Sequence, residues 1–242
     1  MSGANEFLVS RTACEAAYQG GHILANETYG YVISVIIGLS DSVVAVGRVS
    51  CDTETMAKGR KVEIVDIPLC GNTCNITLLL NTIDHQMSLY ANTTLVVDAN
   101  GAGHGLARKL QERGIQFEEV NWGVQCFDQQ DKTDYANKRS QAIVCLGRAI
   151  TEGRFKIFTP VERSKVLEQI SRLPYMFDDR ARWHVLTNQQ MRMNNIRSPS
   201  MAYVFAFLFL TDIRVKSVGK LDLSQRHWVW QLIKRYWRKL TK

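Results

Sequence analysis

The stretch YVISVII, Tyr31 to Ile37, carries a single serine among aromatic and aliphatic side chains. Successive side chains of a strand point to opposite faces. A strand this apolar therefore has both faces covered, as the central strands of an α/β sheet do. Gly38 to Asp41 supplies turn chemistry, and SVVAVGRVS follows as a second apolar strand. After the polar stretch CDTETMAKG, the segment GRKVEIVDIPL reads as a third. Three consecutive strands with short links predict an antiparallel meander.

The period then changes. NITLLLNTIDHQMSLYA places Leu79, Ile83, Met87 and Tyr90 at helical spacing. NTTLVVDA is the next strand. GHGLARKLQERG is the next helix, with Gly114 as its stop. QFEEVNW is a short strand. DYANKRSQAIVCLGRAITEGRFKI forms a long amphipathic helix ending near Gly153, and VERSKVLEQISRLP a further helix closed by Pro174. ARWHVLTNQQMRMNNI reads as a last strand or extended piece followed by a turn. Ser198-Pro199 then opens an apolar helix running to Leu210. The order predicts an α/β fold: a mixed sheet, an antiparallel three-strand meander plus parallel strands, flanked by helices. That is the pattern expected of an RNase H-like fold. The expected organisation is one domain over residues 1–215 and a basic aromatic tail or helix over 216–242.

The 242 residues suffice for one large domain with a proper core. A net charge of +7 favours an anionic partner, nucleic acid first. The six cysteines form no CxxC pair. Cys70 and Cys74 have no second Cys/His pair near them, so buried thiols in a reducing compartment are expected rather than structural zinc. The opening MSGANEFLVS lacks a basic-then-apolar signal pattern. The longest apolar run, MAYVFAFLFL, is about half of a membrane span, so no membrane partner is expected.

Chemistry concentrates at LVVDANGAGHGLARKLQERGI, where Asp98 ends an apolar strand beside Asn100, Gly101 and Gly103. Ligands of open α/β sheets gather outside the carboxyl ends of strands. A carboxylate there suits Mg²⁺ or Mn²⁺, and it equally suits a helix cap or a turn. The spacing G-x-G-x-G is not a dinucleotide fingerprint, and no phosphate-loop sequence occurs. Lys138, Arg139 and Arg148 fall near a helix that is either a phosphate-contacting face or simply a solvated one. The five histidines are isolated; of them His104 alone is close to the Asp98 turn. In the tail, SQRHWVWQLIKRYWRKLTK, residues Trp230, Ile233, Trp237 and Leu240 form one helical stripe. The stripe fits a partner protein, nucleic acid, a membrane surface, or the chain's own domain.

Taken together, GANEFLVSRTACEAA, YGYVISVIIGLSDSVVAVGRV, the Asp98 segment, YANKRSQAIVCLGRAITEGRFKI and MRMNNIRSPSMAYVFAFLFL make the chain resemble a known family. It is similar to the C-terminal nuclease domain of the phage terminase large subunit, an RNase H-like fold. The resemblance implies viral DNA packaging in the cytoplasm of an infected bacterial host, and cleavage of double-stranded DNA with two divalent metals, Mg²⁺ or Mn²⁺. Two such ions about 4 Å apart stabilise the attacking and leaving oxygens. It also implies partners: the terminase ATPase domain, the portal or the small terminase subunit. On the family pattern Asp98 matches a metal-binding, catalytic acid, and Asp41 matches a frequent extra acid after the first strand. Ile36 stands where the family carries an aspartate, and Ser200 and Tyr203 stand where its last helix carries acids. These departures predict weak metal binding and poor or absent cleavage. A non-catalytic DNA- or portal-docking module retaining the fold is the alternative.

Overall fold

The structure, a computed structural model, describes residues 6–38, 40–51, 59–126 and 128–220. The meander is present as β1 (Thr28–Ile37), β2 (Ser42–Ser50) and β3 (Val62–Gly71), each antiparallel to the one before. Helix α2 (Ile76–Leu89) carries the chain across to β4 (Thr94–Asp98), which lies parallel to β1 on its other side. Helix α3 (Gly103–Glu112) leads to β5 (Glu118–Val120), parallel to β4. Further along, β6 (Phe155–Ile157) joins the far edge parallel to β3. The sheet therefore runs β5-β4-β1-β2-β3-β6. It is the mixed, helix-flanked sheet that the alternating patterns predict.

The apolar stretch of β1 has the predicted physical cause. Val32 and Ile36 face one core with α5 (Lys138–Thr151), α6 (Arg163–Ile170) and α8 (Ser200–Ala206). Ile33, Val35 and Ile37 face a second core with α2 and α3. Helix α8 continues into a 3-10 turn, Phe207–Phe209. The Arg60 guanidinium closes that end by donating to the carbonyls of Leu208, Leu210 and Ile213 at 2.7–3.1 Å. Those carbonyls have no helical partner, so a cation there replaces the missing donors.

Several elements had no clear periodic signal. They are α1 (Arg11–Ala16), α4 (Gln129–Asp134) and the three-residue β6. The expected extended piece at 181–196 divides into β8 (Trp183–Val185), paired with β7 (Tyr175–Phe177), and α7 (Asn188–Met193). A capping box between Thr187 and Gln190 starts α7. Residues beyond the expected domain boundary at 215 remain on the sheet: β9 (Gly219–Lys220) pairs with the start of β1. The basic aromatic stripe at Trp230 to Leu240 lies outside the described residues. No disulfide forms; Cys14, Cys126 and Cys145 are the expected buried thiols, whereas Cys51 and Cys70 are half-buried and Cys74 is exposed. Among the described residues, no helix is long and apolar enough to cross a membrane.

Candidate functional site

Asp98 ends β4, and its backbone pairs with Val120 of β5. Two residues past Val120, Trp122 comes over the end of β4. Its indole Nε1–H donates to Asp98 Oδ2 at 3.1 Å. The other oxygen, Oδ1, accepts from the backbone N–H of Asn100 at 3.0 Å and from its side-chain amide at 2.9 Å. The same amide reaches the Val120 carbonyl at 3.0 Å, tying the turn to β5. Asp98 is 8% exposed. Burial pushes its carboxyl above the ordinary value, and the Asn100 and Trp122 donors oppose that rise. The glycines serve this turn. A Cβ on Gly103 would lie 1.8 Å from the Asp98 carbonyl oxygen, so only glycine lets α3 begin so close to the strand.

The neighbours of Asp98 supply no further charge of its kind. In the parallel register Val35 of β1 faces Val97 of β4, so Ile36 is next to Asp98 in the sheet. Ile36 is 4% exposed and belongs to the core beneath α8. Ser200 opens α8, wholly buried against Gly38, and its Oγ has no hydrogen-bond partner. Tyr203, one turn on, packs at a tilt against Trp122 with ring centroids 5.6 Å apart. Its hydroxyl donates to Asn188 Oδ1 at 2.8 Å. Burial raises the Tyr203 phenol to about 12; Arg139 nearby counteracts this and the charge of Asp98 adds to it. Ile36, Ser200 and Tyr203 thus do reach the end of the sheet near Asp98, but with an alkyl group, an alcohol and a phenol.

Asp41 is elsewhere. It precedes β2, two strand positions from β4, or about 10 Å at ordinary strand spacing. Its carboxylate faces Lys165 Nζ at 3.4 Å, which also lies 3.4 Å from Cys70 Sγ and 3.5 Å from Glu162. Lys138 is paired with Asp212. Arg139 donates to the Val185 carbonyl at 3.4 Å, and its buried Nε has no hydrogen-bond partner. Arg148 meets the Tyr135 hydroxyl at 3.2 Å and lies 5.8 Å from the centre of the Trp183 ring. These three cations share one helix but engage different neighbours.

A divalent ion needs several hard oxygen ligands, and two ions need more than one carboxylate to offset four positive charges. The residues at the end of β4 do not fit that requirement. Both Asp98 oxygens are already acceptors, and its neighbours bring no second acid. Among the described residues, no group of three or more His, Cys, Asp or Glu side chains is placed to hold a metal. Trp122 and Asn188 carried no local sequence signal, because each acts across the fold rather than within a motif.

No family profile matches the chain. A probable large terminase subunit of Enterobacteria phage P7 is 27% identical over 125 residues, 51% of this chain and 25% of that protein. The chain thus matches a quarter of the length of that curated relative. Among solved structures, the nuclease domain of the large terminase subunit gp2 of bacterial virus Sf6 has a TM-score of 0.60 at 16% identity, over 84% of this chain and 98% of that domain. A mutant of the same domain with calcium gives 0.61 over 84% and 99%, also at 16% identity; one with manganese gives 0.60 with the same coverage and identity. The chain resembles one probable terminase large subunit in sequence over half its length, and its fold is the RNase H-like fold of terminase nuclease domains.

Proposed function

We propose that this chain is the nuclease domain of a phage terminase large subunit whose metal site is too poor in carboxylates to cut efficiently. Its task is to hold double-stranded viral DNA during packaging, in the cytoplasm of the infected host. The ATPase domain, the portal and the small terminase subunit are its proposed partners. The fold and the sequence likeness to a terminase support the packaging role, and the net charge of +7 suits a polyanionic partner. The observation that carries the loss of cutting is the sealing of Asp98. Both its oxygens accept hydrogen bonds, from Trp122 and Asn100, with Ile36 and Tyr203 as neighbours. Were Mg²⁺ or Mn²⁺ to approach, it would have to break these hydrogen bonds and find a single buried acid. Weak binding follows, whether or not the relatives' own sites bind metal well.

The same observation favours holding DNA over cleaving it, because phosphate attraction needs only cations whereas the two-metal displacement needs an acid cluster. The experiment is plasmid nicking by the purified chain in millimolar Mn²⁺, with an electrophoretic shift assay run alongside. A salt-sensitive shift with little or no nicking is expected. Strong Mn²⁺-dependent nicking that Asp98→Ala abolishes would overturn the proposal.

A further inference from the structure

Between the β1–β2 turn and the segment joining α7 to α8 lies a cleft of about 540 Å³. Ser40, Asn188, Arg192, Asn195, Arg197 and Ser198 line it, and no acid does. The cleft connects to the Asp98 site through Asn188, Tyr203 and Trp122 in turn. The Asn188 side chain accepts from the Tyr203 hydroxyl at 2.8 Å and from the Ser198 hydroxyl at 3.5 Å. The one acid of the turn, Asp41, is engaged by Lys165.

Arg192 and Arg197 are exposed, and among the described residues neither is paired with a carboxylate. Arg113 and Arg154, by contrast, each have an acid at 3.0 Å or less. The bond given to Arg192 is a 3.4 Å contact from Nε to the Asn188 carbonyl, which leaves its two terminal nitrogens facing the cleft or water. The backbone that presents the pair is well fixed. The capping box anchors the start of α7, Asn195 makes a left-handed turn at φ 55°, and Pro199 leads into the buried α8. Met193, between the two arginines, is 75% exposed.

We propose that this cleft is a metal-free phosphate seat for DNA, in which Arg192 and Arg197 grip consecutive phosphodiester groups beside the sealed Asp98. The inference rests on the DNA-holding role proposed above and names the residues that carry it. Guanidinium groups match phosphate oxygens in a fork geometry, and serine and asparagine side chains add neutral donors. A cleft of this volume admits a phosphodiester with its sugar. Phosphate contact of this kind fixes position without reading sequence.

The test is fluorescence anisotropy with a labelled 20-base-pair duplex in excess EDTA, between 50 and 200 mM NaCl. The natural chain is compared with R192Q/R197Q and with R108Q/R172Q, which removes two exposed cations elsewhere, one on α3 and one in the turn after α6. Arg192 loses only its 3.4 Å contact to the Asn188 carbonyl, and neither arginine gives up an ion pair among the described residues, so an unchanged Tm confirms that the variant is folded. Removal of two phosphate contacts is expected to lower the log-log salt slope by about 2 and weaken binding by at least roughly tenfold. The R108Q/R172Q variant is expected to keep the natural slope. Inorganic pyrophosphate at the same phosphate concentration is expected to compete poorly. Equal affinity and slope in R192Q/R197Q would overturn the phosphate seat alone, as would loss of binding on adding EDTA or displacement by pyrophosphate at equal concentration. No DNA binding under any condition would overturn it together with the packaging role.

Discussion

The indole N–H of Trp122 donates to Oδ2 of Asp98 across 3.1 Å, from a residue 24 positions further along the chain. The carboxylate that the fold would offer to a metal is in this way already in use.

That bond makes Asp98 measurable. Burial holds its carboxyl above the usual range, so the folded chain binds this proton more tightly than the unfolded chain does. The contribution of Asp98 to stability is then complete below the unfolded value of about 3.9 and is lost as pH rises through the folded value. Trp122→Phe removes an opposing donor, so the carboxyl moves higher still and stability at neutral pH falls by about 1–3 kcal/mol. A carboxyl-carbon NMR titration with urea denaturation across pH 3–7 checks both. A titration below the usual carboxylate range contradicts the sealed geometry.

Ile36→Asp places a charge in the core beneath α8, where Ile36 is 4% exposed. The expected loss is on the order of 3 kcal/mol in metal-free buffer. With a second acid beside Asp98, Mn²⁺ gains ligands, and ligand binding to the folded state restores part of the loss. Thermal denaturation with and without millimolar Mn²⁺ is expected to show a rise in Tm for this variant and none for the natural chain. Equal responses of the two proteins would be incompatible with the missing-carboxylate explanation.

Away from the site, Glu63 is wholly buried and holds Arg48 at 2.9 Å and His22 at 3.1 Å. It also accepts from the backbone N–H groups of Ile23 and Leu24 at 2.7 and 3.1 Å. It pins the segment after α1 to the sheet. Glu63→Ala strands the buried Arg48 charge and is expected to cost about 3–5 kcal/mol in chemical denaturation. A loss under about 1 kcal/mol would mean that water reaches this cluster.

The glycines of the Asp98 turn are not equivalent. At Gly103 an added Cβ meets backbone, the Asp98 carbonyl oxygen at 1.8 Å; at Gly105 it meets the Ile76 side-chain end at 3.1 Å. Gly103→Ala is expected to destabilise by at least about 2 kcal/mol. Gly105→Ala should stay within about 1 kcal/mol of the natural chain, since alanine also favours the helix. Parallel urea titrations distinguish the two, and a reversed order would show that α3 starts further from β4.

Much of the fold was legible because burial writes itself into period. Tyr31 to Ile37 had to be covered on both faces, and Leu79 and Ile83 had to share one face of a helix. Asp98 was legible too, since a lone acid at the end of an apolar strand is a local pattern. The short β6 and α1 left no periodic trace, because three or six residues complete too few turns to declare a face. Trp122, Asn188 and the Arg192–Arg197 pair were hidden for another reason. Their meaning depends on which distant groups they meet, and only the assembled sheet brings Trp122 over Asp98 or sets Asn188 between Tyr203 and the cleft.

The decisive measurement is the NMR signal of the Trp122 indole N–H, assigned with Trp122→Phe, during titration with Mn²⁺. A paramagnetic ion held by Asp98 would sit within a few bonds' length of that proton and erase its signal. The expected result is an indole resonance that stays sharp at millimolar Mn²⁺, in the presence and absence of DNA. Selective disappearance at micromolar Mn²⁺ would mean that Asp98 does carry a metal, and the sealed site would have to be abandoned.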